Sequence, residues 1–346
     1  MADAVGAILL ACVTLYAVLG GADFGGGLWD LLAGSTASGK RARALIDESI
    51  TPVWEANHVW LVFDLVIFWT AFPHAFTAVM NALALPLWLA VAGIVLRGAG
   101  FAFRKEIAPS SPAGRVAGAA FAFSSLVTPF FMGTVVGAIA TGAVPATAAS
   151  AILSAWTSPT AVLCGFLFVA ACGFLAAVYL IREAAVRDDA AMLGYFTRRV
   201  QAASVVAGAL SLVTLIVLDV PDPAFFARLT GRALPLVVLA GVCGLAVLTL
   251  VTIGRTRGVR VIAALGIAAV VWGWGVAQYP VLLPGTSVTL TDAGAPQATF
   301  AALVAVAIIA VVLVVPSFAL LFSLQGRRLL QADPHDGGHP SGHGEA

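Results

Sequence analysis

The sequence predicts an all-α integral membrane protein, a bundle of nine transmembrane helices. Three observations carry that reading. Of 346 residues, 61% are hydrophobic and 10% charged, with a mean hydropathy of +1.01, whereas soluble domains carry about 25% charged residues. Nine separate apolar segments reach the roughly 20 residues that a spanning helix needs. The basic residues fall on alternate connections between those segments. No stretch shows the period-2 alternation of a membrane barrel strand.

The spans follow in order. Residues 4–32 form the first; Met1–Asp3 carries no basic region and the apolar run is long enough to span, so a cleaved signal peptide is not expected. Gly39-Lys40-Arg41 breaks the pattern before the second span, 51–72, which opens with Pro52 in its first turn and stops at Phe72-Pro73-His74. The third, 75–100, runs into Arg97, Arg104 and Lys105, and the fourth is 114–140. The fifth, 158–182, ends at Arg182, and the sixth, 198–219, begins at Arg198-Arg199. Spans 230–254 and 258–280 are parted by Arg255 and Arg257, and the ninth, 298–325, stops before Arg327 and Arg328.

Of 18 Lys and Arg residues, all but Arg228 and Arg232 fall on one side of this scheme. The positive-inside rule therefore places the N-terminus outside and the C-terminus in the cytoplasm. Ala84-Leu85-Pro86-Leu87 in the third span recurs as Ala233-Leu234-Pro235-Leu236 in the seventh, which runs the same way. Two parallel four-helix units plus a ninth helix fit that repeat. Residues 1–328 make the transmembrane domain. The polar, glycine-rich residues 329–346 read as a disordered cytoplasmic tail. His335, His339 and His343 are four apart there, but the glycines and prolines speak against a helical metal face.

A net charge of +1 indicates no nucleic-acid partner. Cys12, Cys164, Cys172 and Cys243 lie in apolar runs without a CxxC pair, as buried small hydrophobes do. No P-loop or nucleophile elbow stands in a suitable context. Candidate chemistry therefore rests on ionisable residues within the membrane, which are costly there and functional by default. Asp23 sits among five glycines in Gly20-Gly21-Ala22-Asp23-Phe24-Gly25-Gly26-Gly27, where a neighbouring backbone or cofactor can come close. Close helix packing is the plainer reading of that segment.

Trp54-Glu55-Ala56-Asn57-His58 opens the second span at the cytoplasmic face. Glu55 suits a helix N-terminus electrostatically. Glu55 and His58 are also three apart on one face, and with Asn57 they are the parts of a proton-uptake path. Arg97, at a comparable depth in the third span, is a possible partner for Glu55. Asp64 lies nine residues beyond Glu55, about 900° of rotation, and so on the opposite face. It is a protonated acid, a group paired across a subunit interface, or a relay. His58 and His74 are 16 residues apart, ~24 Å along one helix, so they cannot clamp one haem, and no CxxCH is present.

At Gly20–Gly27, Trp54–Trp60, Arg97 in Val95-Leu96-Arg97-Gly98-Ala99-Gly100-Phe101, and Leu126-Val127-Thr128-Pro129, the chain resembles subunit II of cytochrome bd quinol oxidases. The similarity is clearest over the first 140 residues or so, and the nine-helix topology agrees throughout. The alanine- and valine-rich composition is that expected of a high-GC actinobacterium. The resemblance implies a bacterial inner-membrane terminal oxidase that oxidises quinol, reduces dioxygen to water and generates a proton motive force. It implies two haems b and one haem d held by a partner, subunit I, with no cofactor bound by this chain alone. Small single-helix accessory subunits and membrane lipids are further expected partners. Asp23, Trp54 and Arg97 match positions linked in the family to haem retention and subunit packing, and Glu55 to proton delivery. Glu55 stands where the best-known members carry Asp. The carboxylate that members can carry near the start of the fourth span is missing from Arg115–Phe123, and Asp64 is an addition.

Two rival readings have their own signatures. A proton-coupled secondary transporter would break helices near mid-membrane at matching places, for which Pro86 and Pro235 are the candidates. A structural scaffold within the oxidase would leave Glu55 without a role in turnover.

Overall fold

The computed structural model describes residues 1–331 except 51–53, 108–110, 148–149, 219–221 and 293; the side chains of 50, 54–56, 105, 315, 318–319 and 321–331 are also outside the described set. The order is α1 (Ala2–Leu32), α2 (Ala37–Ile50), α3 (Trp54–Ala71), α4 (Pro73–Ala82), α5 (Ala84–Glu106), α6 (Pro112–Ala140) and α7 (Leu153–Trp156). There follow α8 (Pro159–Val186), α9 (Ala190–Leu218), α10 (Pro223–Thr230), α11 (Leu234–Thr252), α12 (Val259–Gln278) and α13 (Gln297–Gln331). Eight of these helices can cross a membrane by length and composition, and nine if the bent pair α3–α4 is one span. The only pairing of extended backbone among the described residues is the bridge between Val281 and Thr289.

α1, α3, α5 and α6 pack as one four-helix group and α8, α9, α11 and α12 as a second. α1 and α6 join the groups by packing on α8, and α13 lies against α1 and α3. The α1–α8 contact is close enough to depend on one glycine. A Cβ on Gly25 would stand 1.9 Å from the Cys172 carbonyl oxygen, a backbone atom that cannot swing aside.

The structure departs from the sequence reading in two places. Gly39-Lys40-Arg41, taken as a break, lies inside α2. Thr36 Oγ1 accepts the Gly39 N–H at 3.1 Å to start that helix. Ala42, Leu45 and Ile46 then recur at helical spacing and are buried beneath α8 and α9. Second, the third span does not begin at 75. Pro73 starts a separate helix, α4, bent 118° from α3, and α5 starts only after Leu83. α4 buries Ala75, Ala78 and Val79 in a core at the outer end, together with Phe72, Leu283, Leu290 and Phe300. Helix α13 is described as far as Gln331; the tail's three histidines lie outside the described residues.

Pro86 falls in the first turn of α5 and Pro235 in that of α11. A first-turn proline forfeits no helical hydrogen bond, so neither proline is the mid-membrane break that a transporter would use. The two exceptional basic residues also find a physical reason. Arg228 Nε and Arg232 Nη2 donate to the Ala277 carbonyl at 2.7 and 3.0 Å, covering the C-terminal end of α12 where cations are favoured.

Candidate functional site

Within the glycine-rich stretch of α1, Gly25 admits α8 and Gly27 admits a guanidinium. Asp23 and Arg97 are 4% and 2% exposed. Arg97 Nη2 donates to Asp23 Oδ1 at 2.6 Å and to the Asp23 carbonyl at 2.9 Å, and Nε donates to Oδ2 at 3.3 Å. Its remaining nitrogen, Nη1, donates to Ser125 Oγ on α6. A Cβ on Gly27 would lie 2.0 Å from Ser125 Oγ and 2.9 Å from Arg97 Nη1, so Gly27 keeps this approach open. The guanidinium carbon stands 4.4 Å from the Phe121 ring centroid and 5.2 Å from that of Phe24. Charge, hydrogen bonds and rings are all matched here, which is what a buried ion pair needs to survive desolvation.

A second pair lies one heptad nearer the cytoplasm. Arg104 Nη1 donates to Asp30 Oδ2 at 2.8 Å, and Arg43 Nε of α2 lies 3.1 Å from Asp30 Oδ1. Arg104 Nη2 also reaches Asp47 Oδ2 of α2 at 3.1 Å. Burial raises the Asp47 carboxyl above the ordinary range, opposed chiefly by Arg104 and aided by the nearby negative Asp30. The two pairs share one register, since Asp23 and Asp30, like Arg97 and Arg104, are seven residues apart on parallel helices. Further ion pairs, Arg41–Asp189 at 2.8 Å and Arg187–Glu48, fasten α2 to the segment between α8 and α9.

The sequence brought forward Asp23 and Arg97 separately and offered Glu55 as the partner of Arg97. The structure instead gives Arg97 to Asp23 and Ser125, which occupy all three of its nitrogens. Glu55 and Trp54 open α3, and their side chains lie outside the described residues. Asn57, 4% exposed, donates through Nδ2 to the Leu19 carbonyl of α1 at 3.3 Å and so ties α3 to α1. The His58 ring lies edge-on to Tyr16 and Phe24, with centroids 6.1 and 6.2 Å away. Asp64 stands further along α3, away from both arginine pairs and in no ion pair among the described residues.

Asp30, Arg43, Asp47, Arg104, Ser125 and Tyr16 belong to this region and were not singled out from sequence. The heptad repeat of the Asp23–Arg97 pair is the signal that finds Asp30 and Arg104. No three His, Cys, Asp or Glu side chains converge as metal ligands among the described residues. His58, the histidine within a span, has aromatic edges for neighbours, and His74 is exposed on α4 beyond the bend.

A sequence model of the family described as cytochrome bd terminal oxidase subunit II matches residues 1–325. Among curated proteins none matches. Of the solved structures, the bd oxidase from Geobacillus thermodenitrificans is similar at a TM-score of 0.76 and 21% identity, over 93% of this chain and 98% of that one.

Proposed function

This chain belongs to the cytochrome bd terminal oxidase subunit II family and is a multi-pass membrane subunit of such an oxidase, and from that premise we propose that it assembles with a haem-bearing subunit I and admits protons from the cytoplasm. In this reading the complex oxidises quinol and reduces dioxygen to water, and its haems, two of type b and one of type d, sit in subunit I. The haems supply the electron transfer and oxygen chemistry; this chain supplies rigidity and a route for protons.

The buried Asp23–Arg97 pair is the observation that carries the proposal. It fastens α1, α5 and α6 together at the depth where His58 and Asn57 of α3 pack on α1. Glu55 then takes a proton at the inner face. His58, one turn on, faces Tyr16 and Phe24 and stands next in line. Asn57 fixes the register of α3 without needing to change protonation. Trp54 is placed with Asp23 and Arg97 in packing the subunits and retaining haem.

The test is oxygen consumption per haem d in the purified complex. Glu55→Gln keeps shape and hydrogen-bonding capacity but removes the exchangeable proton. It is expected to lower turnover severalfold with haem content intact, while Glu55→Asp retains most activity. A carboxylate that only favours the helix terminus would cost about 0.3–1 kcal/mol of local stability on the same change. Wild-type turnover in Glu55→Gln would remove Glu55 from the route.

A further inference from the structure

Three buried polar atoms on α1 and α3 have no hydrogen-bond partner among the described residues: Tyr16 Oη, Trp60 Nε1 and Asp64 Oδ1. Trp60 and Asp64 are one helical turn apart on the same face of α3. Tyr16, 7% exposed, packs in the cluster with Phe24 and Cys172 against which Trp60 lies. Asp23, Arg97 and Asp64 all act electrostatically on the Tyr16 hydroxyl. Cys12, on which Asp64 also acts electrostatically, offers only a weak donor.

Buried polar groups in a folded protein find partners, and a buried water typically makes about three hydrogen bonds. The atoms here are two donors, Tyr16 O–H and Trp60 N–H, and one carboxyl oxygen. A water molecule accepts two hydrogen bonds and donates two, so the set is complementary to bound water. No cation stands within ion-pair distance of Asp64 among the described residues. An isolated carboxylate in an apolar surround is far costlier than the neutral acid.

We propose that Tyr16, Trp60 and Asp64 enclose internal water near mid-membrane, and that Asp64 is a carboxylic acid holding an exchangeable proton on that water. The proposal rests on the oxidase reading and extends the polar line from His58 past Tyr16. In the exchange, Tyr16 Oη accepts from the water instead of donating to it, the Asp64 O–H bond breaks as a new O–H forms on the lone pair so freed, and the water returns one of its own protons to the other carboxyl oxygen. Acid and water each end with the number of protons they began with, and nothing is oxidised or reduced.

Infrared spectra of the resting oxidase complex in H2O and D2O test this. The expected result is a carboxylic acid C=O band that shifts on exchange, disappears in Asp64→Asn, and moves in frequency but persists in Tyr16→Phe and Trp60→Phe. If Asp64→Asn does not assemble, Tyr16→Phe, which only removes a hydroxyl from α1, makes the same comparison. An Asp64 band that neither exchanges nor responds to Tyr16→Phe would mean a dry acid and overturn the proposal. Loss of no band in Asp64→Asn would do the same. Because the readout needs no turnover, it is separable from the Glu55 test.

Discussion

Alanine at either Asp23 or Arg97 is expected to strip haem from the purified complex far more than it lowers the amount of this chain in the membrane. Each single change leaves a charge buried without its partner, at about 3–5 kcal/mol. Arg97 is 2% exposed and Asp23 4%, so water offers little relief. The loss falls where α1, α5 and α6 are pinned together rather than on each helix's insertion. Replacing both residues by leucine removes the unpaired charge, and Ser125 keeps its bond to the Phe121 carbonyl at 2.6 Å. The double variant is therefore expected to retain more haem than either single one, since paired apolar replacement of a buried ion pair is often near neutral. The ratio of haem to chain in purified complexes is the measurement. Normal haem content in both single variants would count against the role given to the pair.

The second large effect is expected at Gly25. Alanine there sets a methyl 1.9 Å from the Cys172 carbonyl oxygen and 2.7 Å from the Ala176 Cβ, so α1 and α8 must move apart. Overpacking of this kind costs typically 1–3 kcal/mol and more when backbone is the obstacle. Here it also parts the two four-helix groups at their seam, where membrane helices depend on small residues for contact. Gly118→Ala is the control, because a Cβ at Gly118 meets nothing within 4 Å. Complex yield after detergent extraction should collapse for Gly25→Ala and stay at the wild-type level for Gly118→Ala. Equal yields would contradict the close-packing account.

What the sequence revealed and what it hid have physical reasons. Apolar length and the placement of lysine and arginine are properties of single segments, so the spans were legible without knowing their neighbours. α2 was not, because its large buried apolar residues among the described ones are just Leu45 and Ile46, beside the small Ala42, on a helix otherwise rich in charge. The 118° turn at Pro73 was legible as a break but not as a bend, since the direction taken after it depends on the outer core formed with Phe300 and Leu290. Asp23 and Arg97 stood out as ionisable groups in apolar runs. That they meet each other depends on α1 and α5 coming together beside α6, and that is settled only by packing. Asp30 and Arg104 were hidden by lying at span ends, where charge is ordinary. Their seven-residue offset from Asp23 and Arg97 gains meaning once the first pair is seen.

The place of this chain in a terminal oxidase is tested most directly by purifying it, tagged, from its native membrane and recording a reduced-minus-oxidised spectrum alongside the subunit composition. The account predicts bands of both b- and d-type haem and a second large membrane subunit that co-purifies in equal amount. A monodisperse preparation of this chain alone, with no haem, would contradict it.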